Sequence, residues 1–231
     1  MTRCISALAL CLSASVISLP AWAGRPLQTE DAGILEAASC EIEGASADTT
    51  ASDNTDNTTS LQLGCGVGFN TQLALATSRD RMSGESGNGL RLGGKTGLWR
   101  GEGDNAPALT FAYGVGWSKA AEASWLRTGT TINLVYSRAA LDHLTLHVNL
   151  GHARDEVAGQ GTTTWGLALE HAGFGSIAPM AEIFGDERDR WWNFGLRFTA
   201  VPEKAFIDFS YGRQINADNA RLLTVGFKVA F

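Results

Sequence analysis

Apolar and polar residues alternate with a period of two along almost the whole chain, in short runs separated by Gly, Asn, Asp and Pro. That spacing predicts half-buried β-strands, because successive side chains on a strand point to opposite faces. The pattern is plainest at the C-terminus. There Leu223, Val225, Phe227, Val229 and Phe231 share one face, and Leu222, Thr224, Gly226, Lys228 and Ala230 share the other. The same alternation places Ala205, Ile207, Phe209 and Tyr211 on one face, as it does Trp192, Phe194, Leu196 and Phe198, and Leu144, Leu146, Val148 and Leu150. It recurs at Leu109, Phe111, Tyr113, Val115 and Trp117, and at Leu61, Leu63, Cys65 and Val67. Counting the runs gives about twelve strands, the first over 40–44 and a less regular one over 177–184.

The second face decides between a soluble sandwich and a membrane barrel. A sandwich turns its bulky face inward and covers the other with Lys and Glu. Here the second face is mostly Gly, Ala, Ser and Thr with single charges between them, which suits the lumen of a transmembrane barrel whose greasy face meets lipid. The expected fold is therefore all-β, a transmembrane antiparallel up-and-down β-barrel over residues 38–231. Asp/Asn/Thr-rich stretches at 47–59, 78–88 and 154–161 read as outer loops, and the tight connections at 69–70, 138–142, 173–176 and 201–204 read as periplasmic turns. The 99–106 stretch is long for an inner turn. Trp117, Tyr136, Trp192 and Tyr211 fall near strand ends, where amphipathic rings favour the headgroup level.

The N-terminus adds an export signal. Met1-Thr2-Arg3, an apolar run from Cys4 to Pro20 and Ala21-Trp22-Ala23 form a basic region, a hydrophobic region and a cleavage site, with cleavage expected before Gly24. A spanning helix is the competing reading, but the run is marginal in length, broken by serines and Pro20, and lacks a basic stop-transfer cluster. Cys11 follows Leu10 and lies too early for a lipoprotein anchor. Removing residues 1–23 takes away Arg3, so the formal net charge moves from −6 to −7, which argues against nucleic acid as a partner. Cys40 and Cys65 then remain as an even pair at matching parity in consecutive strands, bound for an oxidising compartment, and are expected to form a disulfide.

The inward parity carries Glu41, Glu43, Arg91, Lys95, His143, His147, Glu170, Glu182, Arg197, Asp208 and Lys228. Two readings stand side by side: charges that satisfy one another across a narrow lumen, or a pore lining that tunes selectivity. Gly64, Gly66, Gly93, Gly114 and Gly166 leave room on the same face. The segment 24–37 is too polar and interrupted to span a membrane. It hangs in the periplasm or folds back as a plug, with Arg25, Thr29, Glu30 and Asp31 as plug residues and Arg91, Lys95 or Arg197 as partners for the acidic cluster. No nucleophile, base and orienting group come together, so no enzyme is expected. His143 and His147 lie about 13 Å apart by strand rise, too far for one metal ion, and no cofactor is implied.

Arg25-Pro26-Leu27-Gln28-Thr29-Glu30-Asp31-Ala32-Gly33, the run Leu63-Gly64-Cys65-Gly66-Val67-Gly68 and the terminal Phe231 resemble members of the bacterial outer-membrane barrel family named for the meta-pathway of phenol degradation. The resemblance implies a transporter, with small aromatic or other hydrophobic compounds as solutes and no catalytic residues. Phe231 resembles the aromatic signal read by the barrel-assembly machinery. The expected partners are that machinery, outer-membrane lipid and lipopolysaccharide, and an unidentified small solute, and the expected function is passive passage of small solutes. A sealed barrel that works structurally or through its outer loops is the alternative.

Overall fold

The computed structural model describes residues 27–51, 54–82, 85–103, 106–120, 123–216 and 219–231. The expected signal peptide over 1–23, and Arg25, lie outside the described residues. Twelve strands follow in chain order: β1 (Cys40–Ala51), β2 (Asn54–Gly68), β3 (Thr71–Met82), β4 (Glu85–Arg100), β5 (Ala108–Ala120), β6 (Leu126–Leu141), β7 (Leu144–Asp155), β8 (Gln160–His171), β9 (Ile177–Gly185), β10 (Arg190–Val201), β11 (Ala205–Gln214) and β12 (Arg221–Ala230). Each pairs antiparallel with its neighbours, and β12 pairs with β1 to close the barrel, which removes every sheet edge. The seam is completed at one rim, where the backbones of Cys40 and Phe231 exchange two hydrogen bonds.

The alternation places the greasy face outward. Phe194, Leu196 and Phe198 of β10 and Ile207 and Phe209 of β11 are exposed, while the residues between them, Asn193, Arg197, Asp208 and Ser210, are almost completely buried. In a bilayer those exposed side chains meet acyl chains, and the polar ones meet the interior of the barrel. Cys40 and Cys65 face each other across β1 and β2 with Cα atoms 4.2 Å apart and form the expected disulfide, on the outward parity.

One rim carries both ends of the barrel chain and the connections at 69–70, 142–143, 172–176 and 202–204; barrels of this class turn that end to the periplasm. Phe69 and Asn70 take positive φ values of 52° and 53°, as a two-residue hairpin between right-twisted strands requires. At the opposite rim the expected outer loops are mostly strand. β1 and β2 continue to Ala51 and from Asn54, β3 and β4 to Met82 and from Glu85, and β7 and β8 to Asp155 and from Gln160. These extensions carry polar residues on both faces because they lie beyond the apolar belt. Their composition therefore resembles that of a loop while the backbone stays paired.

The buried apolar residues form two small clusters inside the barrel, Leu27 with Ala168 and Met180, and Ala32 with Ala112 and Val135. Both clusters are anchored by the segment that precedes β1.

Candidate functional site

That segment, residues 27–39, runs along the inner wall from β9 round to β2. The Gln28 and Thr29 amides donate to the Glu182 carboxylate of β9, each at 2.8 Å. Asn149 of β7 makes a two-way contact with the backbone of Glu30, accepting from its amide at 2.8 Å and donating to its carbonyl at 2.9 Å. The Ala32 amide donates to Ser137 of β6, and the Thr110 hydroxyl of β5 donates to the Ala32 carbonyl at 2.7 Å. Lys95 of β4 reaches the Asp31 carbonyl at 3.1 Å and pairs with the carboxylates of Glu30 at 3.1 Å and Asp31 at 3.5 Å. Gln72 of β3 accepts from Leu35, and the β2 backbone at Gly66 pairs with Ala38 and Ser39. An irregular segment buried among strands needs such partners, since each unsatisfied amide or carbonyl would cost on the order of 1–3 kcal/mol.

The glycines on this wall provide the space. A Cβ on Gly66 would lie 2.0 Å from the Glu36 carbonyl oxygen, and one on Gly166 would lie 2.6 Å from Thr29 Oγ1. Gly114 gives passage to the Arg91 side chain, whose Nη2 donates to Thr131 at 3.0 Å. Arg91 remains exposed on the lumen side, above the segment.

The opposite wall is filled by its own side chains. Arg197 of β10 grips Asp208 of β11 through Nε at 2.8 Å and Nη2 at 3.4 Å, and all but 2% of its surface is buried. Glu170 of β8 lies 3.8 Å from Arg197 and 3.7 Å from His147 of β7, separations at which the attraction is electrostatic rather than a direct hydrogen bond. His147 Nδ1 bonds Ser137 at 2.8 Å, which links this chain of charges to the bound segment. Across the seam Lys228 of β12 pairs with Glu41 and, at 3.6 Å, with Glu43 of β1, while Gln62 donates to Glu43 at 3.2 Å. Opposite charges held this close offset the cost of leaving water.

The structure thus brings together ten of the inward-parity residues and separates one. His143 occupies the β6–β7 turn with a positive φ of 77° and is exposed, because the two-residue turn breaks the parity that the sequence suggested. Its carbonyl accepts from the Ala172 amide, and its ring lies 6.2 Å from that of His171, outside the lumen. Of the cations considered for the acidic cluster, Lys95 is the partner; Arg91 and Arg197 are engaged elsewhere. Sequence reasoning did not single out Ser137, Thr110, Gln72 or Asn149 as holders of the segment. All four lie on the inward parity, and a polar side chain there, large enough to reach past its neighbours, is the signal that would have found them.

A cavity of about 320 Å³ opens beside the segment, lined on one part by Gln28, Thr29, Asn133 and Asn149 and on another by Trp165 and Trp191. Phe184 and Trp191 face it with their rings nearly parallel at 6.4 Å.

A closed twelve-stranded antiparallel barrel, apolar outside and polar within, defines an outer-membrane barrel of porin-like fold. Solved structures of that kind are similar to it: the KdgM porin, with a TM-score of 0.62 and 9% identity over 83% of this chain and 99% of that one; the NanC porin, with 0.57 and 9% over 81% and 98%; and the CymD monoaromatic hydrocarbon channel, with 0.50 and 7% over 85% and 89%. The chain belongs to the family described as "Uncharacterised conserved protein UCP029691", whose model matches residues 12–231. No curated protein matches the sequence. The resemblance to barrels of the phenol pathway is therefore supported as far as an outer-membrane barrel, and the family match carries no phenol description. These neighbours share the closed barrel, and a barrel with an apolar belt outside and polar residues within is the form in which strands cross the bacterial outer membrane.

Proposed function

We propose that the protein is a passive outer-membrane channel for small solutes, and that residues 24–37 act as a plug that closes its periplasmic half. The observation that carries the reading is the ladder of bonds from Glu182, Asn149, Ser137, Thr110, Lys95 and Gln72 to one continuous stretch of backbone. A wall of glycine and alanine lies behind that stretch, so its displacement leaves a passage along β2 to β6. The side chains that would line the passage are Lys95, Arg91, Gln72, Thr110 and Asn149. They are polar, which favours small polar solutes over the hydrophobic or aromatic compounds that the family resemblance suggested.

Charge exchange tests the plug. Lys95→Glu places a carboxylate against Glu30 and Asp31 and is expected to raise single-channel conductance in planar bilayers. Adding Glu30→Lys and Asp31→Lys is expected to lower it again. Equal conductance in all three proteins, each folded by its heat-modifiable mobility, would reject the plug.

The sealed-barrel reading keeps one observation in its favour, the buried cluster of Arg197, Asp208 and Glu170, with Lys228 paired to Glu41 and Glu43 beside it. It is separated from the channel reading by a strictly silent barrel whatever is done to the segment. Under either reading, the exposed Phe231 paired to Cys40 suits recognition by the barrel-assembly machinery. Phe231→Ala is expected to lower outer-membrane yield without changing conductance per molecule.

A further inference from the structure

The outward face above the apolar belt is strongly basic on one side of the barrel. Arg190 and Trp192 are both exposed on β10, as are Tyr211 and Arg213 on β11 and Arg221 and Leu223 on β12, so each arginine stands two residues beyond an exposed apolar or aromatic residue. On β3 the exposed Arg79 and Arg81 follow Leu75 and Thr77 on the same face. Two features of this arc point to an anion. Arg213 and Arg221 are direct cross-strand partners, an arrangement that is unfavourable for two like charges unless something negative lies between them. Among the described residues no carboxylate pairs with any of the five arginines; Arg213 has only a 3.4 Å contact with Asn219. Asp48, the acid on the outward face of β1, is held by Asn57 at 2.7 Å.

The opposite arc differs. Arg127 and Arg154 share Glu156 at 3.3 Å each, and Lys119 lies over the Trp125 ring at 5.3 Å. Cations there are already satisfied.

Between the two groups of arginines the wall is hollowed on its lipid side. A groove of about 550 Å³ runs over β12, β1, β2 and β3, lined by Gly44, Ser46, Leu61, Thr77, Phe227 and, at its top, Arg79. Gly44 allows the Phe227 ring to lie flat against β1, since a Cβ there would meet it at 2.3 Å. The groove is apolar below and cationic above. Arg221 and Arg81 stand on strands three apart, about 14 Å by strand spacing. Among the described residues the periplasmic rim offers no matching cluster of arginines, with Arg138 the outward-facing one there and Lys204 beside Glu203 in the β10–β11 turn. A basic surface confined to the outer leaflet selects a lipid confined to that leaflet.

We propose that this face binds lipopolysaccharide through its lipid A portion, with an acyl chain in the groove and its phosphates on Arg79 and Arg81 at one end and on Arg213 and Arg221 at the other. Guanidinium groups suit phosphate because they present paired N–H donors to it. The site is independent of whether the lumen conducts.

The test is binding of diphosphorylated lipid A to the detergent-solubilised full chain, followed by native mass spectrometry. The comparison is with the variant carrying Arg79→Gln, Arg81→Gln, Arg213→Gln and Arg221→Gln, and with a control carrying Lys119→Gln, Arg127→Gln and Arg154→Gln. All of these sites are exposed except the half-buried Lys119, and heat-modifiable mobility reports that each barrel is folded. The first variant is expected to lose affinity about tenfold or more, the change that loss of one charge-assisted hydrogen bond represents, and the control to keep it. Dephosphorylated lipid A is expected to bind the unmodified chain as weakly as lipid A binds the first variant. Equal loss in both variants, no loss in either, or equal binding of phosphatidylglycerol would overturn the proposal.

Discussion

The wall from β2 to β6 and the wall from β7 to β12 follow the same alternation, yet they fill the lumen by different means. On the first, the inward side chains are small or singly charged, as at Gly66, Gly93, Lys95, Ala112 and Gly114, and the space they leave is taken by residues 27–39. On the second, large charged side chains pair with one another, Arg197 with Asp208 and, across the seam, Lys228 with Glu41 and Glu43 of β1, while Glu182 turns to the segment's Gln28 and Thr29 amides. A charge on the second wall is therefore part of the packing. A charge on the first wall faces either the segment or water. The same residue type carries different consequences on the two sides, and parity alone does not reveal which.

The contrast can be broken most severely at Arg197. Arg197→Ala leaves Asp208 and Glu170 buried without their cation and is expected to destabilise the barrel by about 3–5 kcal/mol, measured by urea unfolding in lipid vesicles. Replacing both Cys40 and Cys65 by Ser removes a crosslink between residues 25 apart in sequence, and on the chain-entropy model costs roughly 3 kcal/mol in the same assay. Gly66→Val acts on the first wall. Its side chain would enter the space of Leu35 and Glu36, so it is expected to displace the segment and raise conductance while the unfolding midpoint moves little. Arg91→Glu, at an exposed side chain bonded to Thr131 at 3.0 Å, is expected to change stability by less than about 0.5 kcal/mol but to shift reversal potentials of the opened barrel towards cations.

The smallest effect belongs to Glu156, in the β7–β8 connection outside the membrane. A hydrogen bond from the Thr130 hydroxyl at 3.0 Å holds its carboxyl below the usual range, with Arg127 and Arg154 adding to this against a desolvation penalty. A depressed folded value contributes stability above the unfolded value of about 4.3, and that contribution is lost as the pH falls through the folded value. Protection of the amides at this rim, taken relative to their intrinsic exchange rate at each pH, should fall on acidification below about pH 4 in the unmodified chain and stay unchanged in Glu156→Gln.

How much was legible in the sequence follows the same division. The outward face was readable within the apolar belt, because lipid favours apolar residues on that parity, as at Leu61, Leu63 and Val67 of β2 and Phe194, Leu196 and Phe198 of β10, and Cys65 shares it. Strand ends above the belt were not: between Ala47 and Thr59 both faces are solvated, so no apolar alternation marks the backbone as paired. His143 was misplaced by a turn that shifts the parity by its left-handed residue. The course of the 27–39 segment was beyond pattern reading. Its bonds run from backbone groups to side chains between 37 and 154 residues away, as from Leu35 to Gln72 and from Gln28 to Glu182, and leave no local periodicity. Only the acidic cluster at Glu30 and Asp31 hinted at a cation inside the barrel, and Lys95 was one of three candidates.

The central claim, that this segment stands in the passage, is tested most directly by single-channel conductance of the refolded full chain and of a chain lacking residues 24–37. The full chain is expected to be closed or to show small, infrequent steps, and the shortened chain to show larger discrete steps that Arg91→Glu makes more cation-selective. Unchanged or smaller steps from a shortened barrel with normal heat-modifiable mobility would contradict it.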